Sequence, residues 1–488
     1  MNQAQNMAKN TLYLTASYVG QKAIAFLYFA LLARLMGTVD TGAYTIALAF
    51  VMIITAINDV GITPVIIREV AKKTIDAELW SRTVVGIKLI TMPLTAAIAF
   101  ILPGLLGYDA EVIFLVRLAV VIMLADTISL SFYGILRGMQ NLRYESLGIF
   151  AGQIFTAAVG LSLMLTGAAT LPLLIIALMA GSFWNMLFSI AQVVRHLGWR
   201  AITPTYKQGW RPMKIALAFF LAAMFVKVYS YVDSLILGQM IGKHAVGIYA
   251  VAYKLTYAFQ FLPLAFVAAL YPTMSATAND PTQLKKTFLQ AMWYLALIGM
   301  PIIFGIWALA PEIIQMFYGE EYAESVLPLQ ILIFVLIPIF FDFPIGSLLN
   351  ATNRQNIKTS IMGVAMVINV VANFLLIPRF GIEGASISGL ISFTFLFVAG
   401  WFFTRKVIFV SVLDLLKQVG GLTFAAVLMA LVVILAKGQI HFALTIPIGA
   451  LVYFGAAFAT KSLTLNHLKS AKNLLRKKSY EDGLSSNA

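Results

Sequence analysis

A chain of 488 residues that is 61% hydrophobic and only 11% charged, with a mean hydropathy of +0.90, has too little polar surface to coat a water-soluble globule of its size. It reads as an all-α integral membrane protein. The formal charge of +14 does not point to nucleic acid, because the cations sit between apolar runs as orientation signals do. Cysteine is absent, which removes disulfides, thiolate metal sites and cysteine nucleophiles.

Apolar runs of about 18 residues or more, separated by short polar or Gly/Pro-rich breaks, are read as transmembrane helices because unpaired backbone groups are too costly in lipid. Fourteen are predicted, at 10–36, 43–67, 81–105, 111–136, 144–166, 171–194, 212–237, 246–271, 286–309, 325–349, 357–377, 383–404, 418–436 and 442–462. The first carries Lys22 at its centre and has no convincing cleavage pattern, so it is expected to be retained as a span.

Of the 34 Lys and Arg residues, 25 fall on one set of alternate loops and four, Arg34, Lys243, Arg379 and Lys437, on the other. This bias places both termini in the cytoplasm, in a cell (inner or plasma) membrane. The acids Asp109, Glu111, Glu312, Glu320, Glu321, Glu324 and Glu383 all fall on the outer side and read as solvated loop charges.

The longest cytoplasmic connection, with Trp199, Pro204, Tyr206 and Trp210, separates the first six helices from the next six. The expected organisation is an amino-terminal lobe (1–195), a linker (196–211), a carboxy-terminal lobe (212–406), two further helices (407–464) and a basic tail (465–488). Six-helix halves keep the same topology, so the lobes are expected to be related by a pseudo-two-fold axis along the membrane normal. The tail alternates Leu468, Ala471, Leu474 and Leu475 with Lys469, Lys472, Arg476 and Lys477. That pattern suits an anionic leaflet and equally a plain stop-transfer flank.

An internal echo supports the duplication. Ala33-Arg34-Leu35-Met36-Gly37, then Gly42, Tyr44 and Ala47, is answered 205 positions later by Gly238-Gln239-Met240-Ile241-Gly242, then Gly247, Tyr249 and Ala252. The same register pairs Lys22 with Lys227, whereas Arg34 meets Gln239 and Tyr28 meets Asp233.

Ionisable residues inside the predicted spans are Lys22, Lys88, Arg117, Lys227, Lys254, Asp59, Asp126, Asp233 and Asp342, with Arg34 at a boundary. Each costs at least about 2.5 to 3.5 kcal/mol at a helix centre, so a residue kept there faces a partner, water or a ligand. Lys22, Lys227 and Asp126 lie deepest, beyond comfortable reach of either interface. Lys227 with Asp233, and Arg117 with Asp126, are too far apart around their helices to pair internally. Six cations against four acids would make a shared cavity net positive, suited to an anion. Pro263, Pro301, Pro338, Pro344 and Gly346 permit bends in the second lobe.

Other chemistry lacks its signals. There is no G-x-x-x-x-G-K-[ST] loop, and His196, His244, His441 and His467 are scattered, so neither a cofactor, a metal site nor a catalytic triad is expected.

The run from Ala33 to Gly37 through Gly42 and Tyr44, then Asp59-Val60-Gly61 and Ile67-Arg68-Glu69, resembles the amino-terminal signature of polysaccharide-biosynthesis flippases of the multidrug/oligosaccharidyl-lipid/polysaccharide exporter superfamily. Tyr231-Val232-Asp233, Gly238, Gly242, Gly247-Ile248-Tyr249 and Ala252-Tyr253-Lys254-Leu255 look like the same family's seventh and eighth helices. The resemblance implies a non-enzymatic, fourteen-helix O-antigen-unit translocase that moves a polyprenyl-diphosphate-linked oligosaccharide across the membrane by alternating access. Glycosyltransferases and a polymerase would be its pathway partners, membrane lipid its surroundings, and H+ or Na+ a candidate coupling ion.

It further implies that helices one, two, seven and eight line a cationic cavity, which would hold Lys22, Arg34, Asp59, Lys227, Asp233 and Lys254. Substrate binding is assigned on this basis to Lys22, Arg34, Lys227 and Lys254. Ion coupling or charge pairing is assigned to Asp59, Asp126, Asp233 and Asp342. Where arginines are common at such positions the chain has Lys22 and Lys227, point charges without a bidentate fork. The alternatives are a cation-coupled multidrug exporter of the same superfamily and a polysaccharide polymerase or ligase.

Overall fold

The computed structural model describes residues 3–72, 76–207 and 211–464. The amphipathic pattern of the tail, Lys73 and Trp210 lie outside the described residues. The first half of the chain contains α1 (Gln3–Asp59), α2 (Ile62–Ala71), α3 (Ala77–Leu105), α4 (Ala110–Gly138), α5 (Leu142–Leu165) and α6 (Leu171–Leu197). After a 3-10 turn at Trp199–Ile202 come α7 (Arg211–Met240), α8 (Lys243–Tyr257), α9 (Phe261–Ala276), α10 (Pro281–Ala308) and α11 (Ala310–Tyr318). The chain continues with α12 (Val326–Leu332), α13 (Leu336–Ala351), α14 (Gln355–Thr404), α15 (Val412–Ala436) and α16 (Phe442–Ala459). No strand occurs among the described residues.

Ten of these stretches are long and apolar enough to cross a membrane. Two of them are folded back at a glycine: α1 breaks at Gly37 (φ 77°, ψ 178°) and α14 at Gly381 (φ 56°, ψ −126°). Each of the fourteen predicted spans falls on helix, and the arrangement is compatible with fourteen crossings. Three predicted spans are not continuous α-helix. The second is interrupted at Val60-Gly61 before α2, the tenth by a 3-10 turn at Ile333–Val335, and the eighth by a 3-10 turn at Ala258–Gln260, just before Pro263. Proline tolerates the first turn of a helix, where its missing N–H has no partner to lose.

Gly37 and Gly242 carry the sequence echo into the backbone. Gly242 (φ 118°, ψ 179°) precedes α8 as Gly37 precedes the second arm of α1, and both occupy the left-handed half of φ space where a side chain is strained. The two returning helices then cross at Gly42 and Gly247. A Cβ on Gly42 would lie 1.8 Å from the Lys243 carbonyl oxygen, and one on Gly247 would lie 1.9 Å from that of Thr38. Positions 38 and 42 correspond to 243 and 247 in the 205-residue register. The contact is therefore reciprocal, as at a two-fold interface, with glycines letting backbones meet as small residues do between membrane helices.

One end of the bundle collects the loops rich in Lys and Arg and is termed the basic end; the other, with Asp109, Glu111 and Glu321, is the acidic end. At the basic end α2 touches α7, and a Cβ on Gly61 would lie 2.4 Å from the Ala216 carbonyl oxygen. The last two helices pack on α10, burying Met429 and Tyr453, whose hydroxyl donates to the Leu297 carbonyl at 3.0 Å.

Candidate functional site

Between the two arms of α1, α7 and α8 lies a cavity of about 320 Å³. These are the first, second, seventh and eighth predicted spans. Lys22, Lys227 and Lys254 line it together. Lys22 and Lys227 each stand fifteen residues before a glycine break, a depth of about 22 Å at 1.5 Å per residue. Lys22 and Lys254 expose their side chains within the cavity, and Lys227 is half-buried.

The three ammonium groups interact electrostatically, Lys22 with both Lys227 and Lys254. Their other neighbours are soft. Lys227 Nζ lies 3.9 Å from Met52 Sδ and 5.4 Å from the centre of the Tyr231 ring, and Lys254 Nζ lies 5.2 Å from that of Phe29. No ion pair to any of the three occurs among the described residues. Among the described residues, Asp126 is the one carboxylate within electrostatic range, near Lys227, and Ser182 lies beside it. The site is thus strongly cationic and incompletely neutralised, which favours an anion.

Beside the lysines stands an aromatic wall. Tyr253 and Tyr257, one turn apart on α8, stack with centroids 4.0 Å apart, and the Tyr253 hydroxyl donates to the Ser230 carbonyl at 2.8 Å. That bond fixes the ring in the cavity lining, between Tyr257 and Tyr249, whose ring centroid lies 5.9 Å away.

The acidic end is closed by contacts between the two halves. Glu321 accepts hydrogen bonds from the Thr38 N–H at 2.7 Å and the Thr38 hydroxyl at 3.1 Å. A carboxylate is favoured there because Thr38 opens a helical arm whose N–H groups are unsatisfied. Tyr322, fully buried, reaches the Ala33 carbonyl at 3.0 Å and the Thr41 hydroxyl at 2.9 Å. Phe317 and Tyr318 of α11 set their rings edge-on against Phe26 and Phe29. Lys243 binds Asp109 at 2.8 Å and Glu111 at 2.5 Å.

Several residues expected in the cavity are elsewhere. Arg34 is exposed at the acidic end and donates to the Met316 carbonyl at 3.1 Å. Asp59 is buried at the basic end against Lys88, at 3.8 Å, and takes a hydrogen bond from the Thr63 hydroxyl. Asp342 pairs with Lys358, and Arg117 is exposed, pointing at the Phe100 carbonyl. These pairings join different helices, or different turns around a bend, so helical spacing alone could not reveal them. The acidic-end carboxylates also depart from expectation: Asp109, Glu111, Glu312 and Glu321 have specific partners.

Asp233 lies behind the cavity wall, 3% exposed. It accepts from the Tyr249 hydroxyl at 2.7 Å and the Asn373 amide at 3.4 Å, and Asn369 is a further neighbour. It has no ion pair among the described residues. Asn373 Oδ1 and Asn369 Nδ2 are buried without hydrogen-bond partners. At the equivalent place in the amino-terminal half, Tyr28 stands beside Tyr44 with its buried hydroxyl unpartnered. The asymmetry between Tyr28 and Asp233 seen in sequence therefore gives one half a buried carboxylate cluster that the other lacks. Asn369 and Asn373, one turn apart on α14, were missed because an amide in an apolar run carries no charge signal.

Comparison with known proteins places this geometry in context. The family model described as polysaccharide biosynthesis protein matches residues 7–278, and a second, MatE, matches residues 218–375. A probable low-salt glycan biosynthesis flippase of Haloferax volcanii is 23% identical over 480 residues, covering 96% of this chain and 99% of the relative. The lipopolysaccharide biosynthesis protein WzxC of Escherichia coli K12 is 23% identical over 384 residues, 74% of this chain and 72% of its own length. Among solved structures, the lipid II flippase MurJ in an inward closed conformation superposes with a TM-score of 0.76 at 16% identity, covering 91% of this chain and 98% of that one. An inward-facing multidrug resistance MATE family transporter gives a TM-score of 0.66 at 16% identity, covering 79% and 94%.

Proposed function

Because the chain belongs to the polysaccharide biosynthesis protein family, we propose that it is a flippase that carries a polyprenyl-diphosphate-linked oligosaccharide from the cytoplasmic to the outer leaflet by alternating access. It is a transporter rather than an enzyme. The observation that carries the reading is the convergence of Lys22, Lys227 and Lys254 in one mid-depth cavity. A diphosphate brings about two negative charges to a site that holds three cations and one nearby acid. Lysine binds it as a point charge, so charge rather than fork geometry selects it. The stacked pair Tyr253 and Tyr257 then offers an aromatic wall to the first sugars while the polyprenyl tail stays in lipid.

In this reading the acidic end faces outward and both termini are cytoplasmic, as the distribution of loop cations argues. Closure of the acidic end by Glu321, Tyr322 and Lys243 corresponds to a state that has yet to release outward. Transport consists of rocking the lobe at 1–195 against that at 212–406, joined by the linker 196–211, with the helices of 407–464 and the tail 465–488 outside the duplication. Glycosyltransferases supply the lipid-linked substrate and a polymerase consumes it. We assign a coupling ion, Na+ or H+, to Asp233, supported by its burial, its lack of a cationic partner and the unsatisfied Asn373 oxygen. Asp342, paired with Lys358, is the weaker candidate.

The MatE match over residues 218–375 favours a second reading, a cation-coupled multidrug exporter. Its cavity would need acidic rather than basic residues for cationic drugs.

The test is complementation of a flippase-deficient strain. Lys22→Ala and Lys227→Ala should each abolish polymer export while Lys22→Arg and Lys227→Arg retain it. Full export by both alanine variants would overturn the anion cavity. Protection of the strain from cationic drugs would support the exporter instead.

A further inference from the structure

At the basic end, where α14 gives way to α15, a surface pocket of about 440 Å³ is bordered by Phe402, Arg405, Lys406, Phe409, Ser411 and Asp414. The connecting strand of chain is pinned rather than loose. Ile408 and Val410 are buried at 1% and 2% exposure, the Val410 N–H donates to the Ile408 carbonyl at 2.8 Å, and Phe409, at the tip of the tight turn this bond closes, is 94% exposed. Val412, Leu413 and Leu416 continue this apolar rim onto α15. On the same face Gly420 has open space where a side chain would stand, and Phe424, Val427 and Leu431 follow it, all exposed.

The charges of the pocket are unbalanced. Asp414 is committed: its carboxylate takes Lys285 at 2.9 Å and the Ser411 N–H at 3.0 Å. Arg405 and Lys406 are exposed and make no ion pair among the described residues. Lys406 is instead held over the rings of Phe402 and Phe403, at 4.6 and 5.1 Å, which positions its ammonium without neutralising it.

We propose that this pocket binds the headgroup of an anionic glycerophospholipid. The phosphate sits between Arg405 and Lys406, Phe409 inserts at the acyl boundary, and one chain runs along α15 over the gap at Gly420. Two adjacent cations at a membrane surface, continuous with the apolar face that α15 turns to the lipid, match an amphiphile with a negative head, not a soluble anion. The site is separate from the central cavity and goes beyond the transport reading.

Native mass spectrometry of the purified full chain, titrated with phosphatidylglycerol, phosphatidylcholine or inorganic phosphate, tests it. Phosphatidylglycerol should be retained in preference to phosphatidylcholine. The Arg405→Gln/Lys406→Gln double variant should weaken phosphatidylglycerol binding by about twenty-five-fold, roughly fivefold per cation. Lys406→Arg should preserve the preference, and Lys22→Ala/Lys227→Ala should leave it unchanged. Equal retention of the two lipids, undiminished binding by the double variant, or displacement by inorganic phosphate at equal concentration would each overturn the proposal.

Discussion

Gly42 and Gly247 meet at the crossing of the two halves, where each lies beneath the other half's backbone carbonyl, of Lys243 and of Thr38 respectively. Neither carbonyl can retreat without unwinding the first turn of the helix it begins. Gly42→Leu or Gly247→Leu should therefore prevent closure of the acidic end and reduce transport at least tenfold, the loss of about 1.4 kcal/mol or more from the closed state. The natural chain contains no cysteine, so a single Thr41→Cys reports directly. Thr41 is fully buried and should react with a membrane-impermeant thiol reagent only when glycine is replaced; unchanged protection would refute the crossing as a closure point.

The clasp of Lys243 with Asp109 and Glu111 has a defined pH window. Burial opposes ionisation of Asp109, but the hydrogen bond and charge of Lys243 and the Val112 N–H outweigh it and hold the carboxyl below its usual range. Burial likewise opposes the charged form of Lys243, and its two acids outweigh that and raise it. A depressed carboxylate contributes fully above its free value of about 3.9 and loses its contribution as pH falls through the lower bound value; a raised lysine contributes fully below about 10.4 and loses it as pH rises through the higher one. Between roughly pH 5 and 9 the clasp should be constant. Labelling of Thr41→Cys should rise outside that window, and Lys243→Gln should raise it within the window. A transition near pH 7 that Lys243→Gln abolishes would contradict this assignment.

Asp233 predicts an ion effect independent of substrate. If Na+ is the ion, it should stabilise the purified chain relative to choline by about 2.7 kcal/mol at a hundredfold excess over Kd, read as a higher melting temperature. Asp233→Asn should remove the difference while Asp342→Asn keeps it. A Na+ effect surviving in Asp233→Asn would move the ion elsewhere.

Breaking the Asp59–Lys88 pair should destabilise rather than inactivate. Both residues are buried, and deleting one partner strands a charge at a cost of about 3 to 5 kcal/mol. Lys88→Ala should lower the melting temperature sharply, and Asp59→Asn added to it should recover part of the loss. A Lys88→Ala variant as stable as the parent would show that the pair is solvated.

The fold was legible because its signals run along the chain. Apolar length gave the helices, and the 205-residue register gave Gly37 and Gly242 as equivalent breaks and set Lys22 and Lys227 at equal depth. What the chain does not display is azimuth. Arg34 and Lys254 are both expected to bind substrate, yet α8 turns Lys254 into the cavity while Arg34 emerges beside Met316. Partners on separate helices, Asp59 with Lys88 or Glu321 with Thr38, are likewise set by tertiary packing that no spacing encodes.

The cavity is also unequal from side to side. Position 254 corresponds to 49, where the chain has Ala49, and both residues line the cavity. A dimer of identical halves would have to offer two lysines or none at this level, and a ligand inside it could be seated equally well in either of two poses. Fusing the halves into one chain let a single wall acquire the third cation. A head-and-tail substrate then has one preferred seating, so its handedness in the membrane is written into the protein before any movement begins.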